Sequence, residues 1–300
     1  MNCRIVITLL CVSILNAELA VAETSNNWHR DTALSPDGTT ILFTHRGDIY
    51  RVSSNGGAAV PLTRSRPVDS NPVWSPDGKW IAWASDRHGN QDVFVVPAAG
   101  GQEKRLSFHS SDDVPSGFSS DSKRVLFSSS RYDALNASVD PQRNNPELYE
   151  VAITGGTPVQ ITTIQAIQAR WNKEGSSLLY ADDKGERFHR KYDNSPFERN
   201  IWRMEPSTNS FQQLTSSEWN DHTPNWDEKG AGFYFLSERS GTINVWHQDF
   251  EGGEASAQQL TFHDTHPVRD LSVSHGGDLS YNVHGQIYFA VAGGKPAPLR

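Results

Sequence analysis

Residues 34–38, Leu-Ser-Pro-Asp-Gly, recur forty positions later as Trp-Ser-Pro-Asp-Gly at residues 74–78. Proline presets the backbone at the second position of such a turn, aspartate bonds its own backbone, and glycine takes the positive φ. Degraded copies of the motif end at positions 122, 175, 230 and 277. The copies follow one another at similar intervals along the chain, which indicates a repeat architecture.

The same three signals follow every copy in the same order. An apolar strand comes first, as in Ile-Leu-Phe at residues 41–43, and then a β-branched residue or Leu before an aromatic, as in Ile-Tyr at residues 49–50. A short strand then ends in Leu-Thr or a close relative, as at residues 62–63. With the strand that enters the turn, each unit has four strands, which predicts an all-β fold: a six-bladed β-propeller with four antiparallel strands per blade. A solenoid is the alternative, and the lack of helical signals disfavours it.

Composition excludes several classes of protein. The chain has 300 residues, of which 36% are hydrophobic and 21% charged, and its net charge is -8. No run of eighteen apolar residues is present, so no helical membrane span is expected. An acidic chain without a basic face also argues against a nucleic-acid partner.

The first residues have the pattern of a secretory signal peptide. One Arg precedes an apolar stretch, and Ala20-Val21-Ala22 places small residues where a signal peptidase reads them. We therefore predict a signal peptide at residues 1–22 cut after Ala22, an N-terminal segment at 23–31, the propeller at 32–300, and a periplasmic or secreted location. Both cysteines, Cys3 and Cys11, lie in the signal, so the mature chain offers no disulfide, no Cys-ligated metal and no Cys nucleophile.

The phase of the repeat predicts how the ring closes. The first unit opens with its innermost strand and the sixth ends with its outermost strand at Leu299, so no strand is expected to be exchanged between the two ends. We expect the first and sixth blades to meet by side-chain packing, with residues 24–31 available to cover the seam. The stop at Arg300, close to the edge of a repeat, favours a fragment of a longer protein.

Two loops that join second to third strands are enlarged, at residues 131–146 in the third blade and 182–199 in the fourth. Such loops share one face of a propeller with the connections between blades, and we call it the loop face. Long loops often carry function, although plain surface decoration is an open alternative. The fourth-blade insertion contains the chain's one unusual basic cluster, which is either a solvated loop or a clamp for anions. The candidate peptide-contacting residues on this face are Arg131, Arg187, His189, Arg190 and Lys191.

No catalytic, metal-binding or cofactor-binding residue is predicted. The chain lacks a Gly-x-Ser-x-Gly elbow, a His-Glu-x-x-His motif and a phosphate-binding loop. His263 and His266 superficially suggest a metal site, but His263 occupies the same repeat position as His109, and a single metal site would not be copied in each blade. Six histidines are predicted in the loops of the face that carries the two enlarged loops: His88, His109, His189, His222, His263 and His266.

The Ser-Pro-Asp-Gly turns, the Ile-Tyr-like third strands and the Leu-Thr endings resemble the repeats of the TolB-like (PD40/WD40-like) propeller group. This group includes TolB, the N-terminal propeller of tricorn-type serine peptidases, and propellers attached to amidohydrolases and prolyl oligopeptidases. The resemblance covers residues 32–300. The chain is most similar to the tricorn propeller, because no α/β domain precedes the first repeat and the fourth blade is enlarged. In that family the propeller is thought to filter or guide peptides, while a separate domain performs proteolysis.

The resemblance implies three alternative functions. The first is a substrate-gating module of a tricorn-like serine peptidase, in which no residue of this segment is catalytic and a peptide or protein partner contacts the loop face or the channel. The second is a free-standing periplasmic scaffold of TolB type that binds a protein. The third is a propeller attached to an amidohydrolase. Whether the parent polypeptide is an enzyme stays open at this point.

Overall fold

A computed structural model describes residues 28–64, 66–131, 146–183, 199–216 and 219–300. Within these residues, twenty-four strands form six separate four-stranded antiparallel sheets, each built from consecutive strands. The innermost strands of neighbouring sheets pack side by side in a closed cycle. The prediction of an all-β, six-bladed propeller is confirmed.

The strands of each blade run outward from the axis in chain order. The first blade contains β1 (Arg30–Leu34), β2 (Thr40–His45), β3 (Asp48–Ser53) and β4 (Val60–Pro61). The second contains β5 (Asp69–Trp74), β6 (Trp80–Ser85), β7 (Asp92–Pro97) and β8 (Lys104–Arg105). The third contains β9 (Asp113–Phe118), β10 (Arg124–Ser129), β11 (Glu147–Ala152) and β12 (Val159–Thr162). The fourth contains β13 (Ile167–Trp171), β14 (Leu178–Ala181), β15 (Ile201–Glu205) and β16 (Ser210–Gln213). The fifth contains β17 (Asp221–Trp226), β18 (Gly232–Ser237), β19 (Asn244–Asp249) and β20 (Gln258–Gln259), with a 3-10 helix at Gly253–Ser256. The sixth contains β21 (Val268–Val273), β22 (Leu279–Val283), β23 (Gln286–Ala290) and β24 (Ala297–Pro298).

The repeated turn closes the hairpin between the first two strands of a blade. In the first blade the Ser35 hydroxyl donates to the Asp37 carboxylate at 2.6 Å, and that carboxylate also accepts the backbone N–H of Thr39 at 3.1 Å. Gly38 takes a φ of +73°, as the turn requires. These hydrogen bonds lower the pKa of Asp37. The same pair of contacts recurs in the second blade, where Ser75 donates to Asp77.

The Leu-Thr endings have a structural cause. The hydroxyl of Thr63 accepts the backbone N–H of Ile49, the second residue of β3, at 2.9 Å in the buried interior. Ser107 does the same for Val93, and Thr261 for Val245. The hydroxyl satisfies a backbone donor that the short outer strand does not reach. The preceding Leu packs into the layer between blades, as Leu106 does with no exposed surface.

The seam between the first and sixth blades closes without strand exchange in the described part of the chain. The two complete sheets meet by side-chain packing, as predicted: Leu34 and Ile41 of the first blade share a buried cluster with Ile287 of the sixth. Hydrogen bonds add to this contact: Leu34 N–H donates to Ser272 Oγ at 2.9 Å, and His275 N–H donates to the Pro36 oxygen at 2.9 Å. The His29 oxygen accepts from Asn282 Nδ2. β1 begins at Arg30, slightly before the predicted start of the propeller. Residues 24–27 lie outside the described residues.

Candidate functional site

The innermost strands surround a cavity of about 970 Å³ on the propeller axis. It opens where the two enlarged loops begin and end, because Ser130, Pro146, Asp183 and Arg199 are among its lining residues. Each blade contributes the equivalent residue of its inner strand, and we call these six residues the hub ring. The hub ring consists of Asp31, Asn71, Pro115, Gln168, Thr223 and Asp270.

The hub ring is built from backbone in the left-handed region. Its five members other than Pro115 have φ between +52° and +57°, which non-glycine residues seldom adopt. In these five blades a break in the ladder between the first and second strands coincides with this residue. The bulge aims the backbone N–H at the neighbouring blade. Thr223 donates to Gln168 Oε1 at 2.9 Å, and Asn71 donates to Asp31 Oδ2 at 3.3 Å. Strained backbone that recurs around one cavity marks this wall as a functional candidate.

Two carboxylates of the hub ring meet at the seam. The backbone N–H of Asp31 donates to Asp270 Oδ2 at 2.9 Å, so the two acidic residues are held side by side. Burial, and next the charge of Asp31, raise the pKa of Asp270 to about 7. Arg269 and Arg30 act in the opposite direction on the same group. At neutral pH this carboxyl is therefore partly protonated, whereas an ordinary aspartate is almost fully ionised.

The arginine side chains of the cavity lie on the wall formed by the fourth, fifth and sixth blades. Arg199 is paired with Asp183 at 3.2 Å. Burial, with Arg199 and Arg269 nearby, lowers the pKa of His222 to about 3, so its ring is neutral at physiological pH. His222 was predicted in a loop, but it lies in the inner strand β17, and its Nδ1 is 2.8 Å from the Thr223 hydroxyl. Arg170 also lines this wall. Sequence patterns identified neither Arg170 nor Asp270 as notable.

Arg131 belongs to a motif that recurs beneath the loop face in three blades. An Asp at the start of the inner strand binds an Arg that lies near the end of the second strand, and this Arg also contacts a Ser of that strand. We call these sets the loop-base triads: Asp69–Ser85–Arg87, Asp113–Ser129–Arg131 and Asp221–Ser237–Arg239. Each guanidinium also lies over an aromatic ring of its own blade, at 4.3 to 5.2 Å from the ring centre.

The Arg131 guanidinium is 2.6 Å from Asp113, and its side chain is only 7% exposed. Contact between Arg131 and a peptide stays a prediction, and the structure places this residue at the base of the loop face. The other four candidates, Arg187, His189, Arg190 and Lys191, lie outside the described residues. The signal for the triads was present in the sequence, as Ser-x-Arg after the second strand with an Asp at a constant separation before the Arg.

Two other features of the described residues have structural explanations. Asp227, His247 and Asp249 bring ligand atoms within 4.8 Å of one another and could hold a divalent cation. However, Asp227 also accepts the backbone N–H groups of Lys229 and Ala231, so it braces the turn of the fifth blade. A second cavity, of about 810 Å³ between the first two blades, is lined largely by residues of the repeated turns.

Comparisons with known proteins agree with this architecture. The family described as the tricorn protease N-terminal β-propeller domain matches residues 30–294. "Tricorn protease homolog 1" of Streptomyces coelicolor is 36% identical over 72 residues, which are 24% of this chain and 7% of that protein. "Protein TolB homolog" of Chlorobium luteolum is 39% identical over 66 residues, which are 22% of this chain and 15% of that protein.

The crystal structure of the tricorn protease superposes with a TM-score of 0.74 at 18% identity, covering 91% of this chain and 26% of that one. The matches therefore span only a small part of each of these longer proteins. Within the described residues, no helix has the length and apolarity needed to cross a membrane. The match across residues 30–294 covers most of the chain, and the chain belongs to the family of tricorn protease N-terminal β-propeller domains.

Proposed function

We propose that this propeller is the substrate-gating or peptide-guiding domain of a tricorn-like serine peptidase, and that peptides occupy its axial cavity. The observation that carries the proposal is the cavity itself. Its volume of about 970 Å³ lies at the upper end of the range for ligand-binding clefts, and this suits a short stretch of peptide. Family membership supports the same role, with proteolysis assigned to domains outside this segment.

The chemistry of the wall suits a peptide backbone. Apolar side chains such as Val73, Ile167 and Leu271 alternate with neutral polar ones such as Thr32 and Gln168. Peptides need apolar contact for their side chains and hydrogen-bonding groups for their amides, and a mixed wall provides both. Because neutral side chains make up most of this wall, peptides of many different sequences could pass through the cavity.

A protein-binding scaffold of TolB type is the second candidate. Phe108 and Phe262 follow the Leu-Ser and Leu-Thr endings of their blades at equivalent positions, and they are 70% and 78% exposed. Both lie in connections between blades, on the face where the enlarged loops emerge. Exposed aromatic residues are common in protein interfaces. A role as a propeller attached to an amidohydrolase remains a third alternative, and no feature of the described residues favours it.

We further propose that the protein works outside the cytoplasm. The signal-peptide pattern at residues 1–22 supports this location, as does the similarity to a TolB homologue. The test is N-terminal sequencing of the chain recovered from the periplasm or medium after expression with its own first residues. We expect Glu23 as the new N-terminus, and an uncleaved chain in the cytoplasm would contradict the proposal.

Crosslinking tests where peptides bind. A peptide bearing a photoreactive phenylalanine is irradiated with the chain, and the crosslinked residues are mapped by mass spectrometry. Gating predicts crosslinks to Val73, Ile167 and Leu271, whereas crosslinks concentrated on Phe108 and Phe262 would favour the scaffold.

A blocking substitution provides the control for this experiment. Gln91 lines the cavity, so Gln91→Trp should reduce crosslinking, while Gln102→Trp at an exposed position outside it should not. The chain alone should cleave no fluorogenic peptide, and cleavage would contradict the assignment of proteolysis to other domains.

A further inference from the structure

Among the residues that the structure describes, the cavity contains one arginine whose charge is not compensated. Three of the described arginines line the wall: Arg170, Arg199 and Arg269. Arg199 is paired with Asp183, and Arg269 lies close enough to Asp270 to affect its pKa. Within the described part of the chain, the Arg170 guanidinium contacts no carboxylate, and its one hydrogen bond runs to the Ala169 oxygen at 3.2 Å.

The position of Arg170 in the repeat makes it more unusual. It lies on β13, just after Gln168 of the hub ring. The equivalent residues of the first, second and fifth blades are Ala33, Val73 and Asn225, all neutral. The Arg170 stem lies against Gly117 of the third blade, where a Cβ placed on the glycine would be 3.7 Å from the Arg170 Cδ. The side chain of Arg170 therefore extends along the cavity wall against the backbone of the third blade.

This guanidinium stays charged in the folded protein. Burial lowers the pKa of Arg170 to about 10, which still leaves it protonated near neutral pH. His222, which lines the same cavity, is neutral there, so the histidine adds no charge to the wall. A buried charge without a partner is costly, and a neutral residue, as in the equivalent blades, would avoid that cost. Natural proteins keep such costly, unpaired groups mainly at functional sites.

We propose that the axial cavity contains a carboxylate-binding site centred on Arg170. A guanidinium presents a planar fork of N–H donors that matches the two oxygens of a carboxylate, and water-poor surroundings strengthen the pair. The Ala169 oxygen occupies part of this fork and leaves the remaining donors for the ligand. This inference rests on the proposed peptide role to the extent that the carboxylate would be carried by a peptide.

A peptide carries such a group either at its C-terminus or on an acidic side chain, and three probes separate the two sources. They are the N-acetylated tripeptides Ala-Ala-Phe with a free C-terminus, the same tripeptide as C-terminal amide, and Ala-Glu-Phe as C-terminal amide. Each is titrated into the protein by calorimetry. We expect the free acid or the glutamate peptide to bind about tenfold more tightly than the neutral amide, as one charge-assisted hydrogen-bonded pair would give. Whichever binds more tightly identifies the source.

The substitution Arg170→Met keeps most of the unbranched stem of the side chain and removes the guanidinium with its charge. It should abolish the advantage of the carboxylate peptides and leave binding of the amide unchanged. The matched control is Arg203→Met on the third strand of the same blade, where the arginine is paired with Glu205 at 2.7 Å. That control should preserve the advantage. Equal binding of acid and amide by the unaltered chain, or a preference that survives in Arg170→Met, would overturn the inference.

Stability separates a binding role from a structural one. Since Arg170→Met removes an uncompensated, half-buried charge, we expect its midpoint of urea unfolding to equal or exceed that of the unaltered chain. A clear loss of stability would indicate that Arg170 holds the third and fourth blades together, against the inference.

Acetate provides a readout that does not depend on peptides. The Nε–H resonance of Arg170 is assigned by comparison with Arg170→Met and followed by NMR while sodium acetate is exchanged for sodium chloride at constant ionic strength. A saturable shift supports the site, and no saturable shift overturns it. If acetate binds but none of the tripeptides does, the peptide role fails and the carboxylate site stands.

Discussion

The loop-base triads and the wall of the axial cavity both contain arginines that are largely shielded from solvent. The triad arginines have carboxylate partners, and Arg170 in the cavity wall, among the described residues, has none. In the triads, each guanidinium has a carboxylate, a serine hydroxyl and an aromatic ring around it, as Arg131 has with Asp113, Ser129 and Phe127. In the cavity, Arg170 has a single backbone oxygen, and Asp270 has a second carboxylate beside it. The comparison shows that the arginines that brace the fold have carboxylate partners, whereas, within the described residues, Arg170 at the channel has none.

The largest expected effect comes from breaking a triad. Asp113→Ala removes the carboxylate and leaves the Arg131 guanidinium, 7% exposed, without its partner. The loss of one member of a buried ion pair typically costs about 3 kcal/mol or more. Urea unfolding should show a decrease of that size in the free energy of unfolding.

The neighbouring Asp112 provides the matched control. It is exposed and accepts one backbone N–H, from Gln91 at 2.9 Å, so Asp112→Ala should cost under about 1 kcal/mol. Equal effects of the two substitutions would mean that the triads do not brace the fold.

The next effect tests the acidic pair of the channel. The folded pKa of Asp270, about 7, lies above its ordinary value of 3.8, so the folded chain binds this proton more tightly than the unfolded chain. The contribution of Asp270 to stability is therefore greatest below pH 4, falls as the pH rises to about 7, and is constant above that. Asp270→Asn, which keeps an acceptor oxygen for the Asp31 N–H, should raise the free energy of unfolding at pH 8 by about 2 kcal/mol and change it little at pH 4.

Chemical denaturation at a series of pH values measures this difference. Asp31→Asn serves as the companion variant, because it removes the neighbouring negative charge and should reduce the pH dependence without abolishing it. An Asp270→Asn variant with the same pH profile as the unaltered chain would show that Asp270 titrates as an ordinary aspartate.

The smallest effect tests the strain of the hub ring. Thr223 is β-branched and has a φ of +56°, a conformation that glycine adopts without penalty. We expect Thr223→Gly to change the free energy of unfolding by no more than about 0.5 kcal/mol, because relief of strain offsets both the lost hydrogen bond with His222 Nδ1 and the added freedom of the unfolded chain. Thr32→Gly, at the adjacent position of the first blade, should instead cost about 1 kcal/mol, since it loses the hydrogen bond from Thr32 Oγ1 to the Asp270 oxygen. Thermal unfolding measures the stability of both variants, and a comparable loss of stability in each would argue against strain at Thr223.

Sequence reasoning predicted the fold because the repeat is a local pattern. The turn at residues 34–38 and the Leu-Thr ending at 62–63 act within one blade, so their order along the chain was enough to count the blades. The triads could also have been found from the sequence, since the separation of Asp113 and Arg131 recurs in two other blades. That the Arg170 charge lacks a carboxylate partner could not be predicted, because it depends on which groups the third, fifth and sixth blades place around it. The pKa of Asp270 likewise depends on Asp31, which lies at the opposite end of the propeller sequence.

The closure of the ring has a consequence for its motions. The first and sixth blades are complete sheets that share no strand, and they meet through a buried cluster that includes Leu34 and Ile287 and through hydrogen bonds such as that from Leu34 N–H to Ser272 Oγ. This contact therefore acts as a clasp, which can part while every ladder stays intact. Amide hydrogens at the clasp need only this local opening to exchange with solvent, whereas those within β2 need the loss of a whole blade. Within the described residues, this is the one interface between neighbouring blades that no chain connection crosses, and it includes the two adjacent carboxylates of the channel.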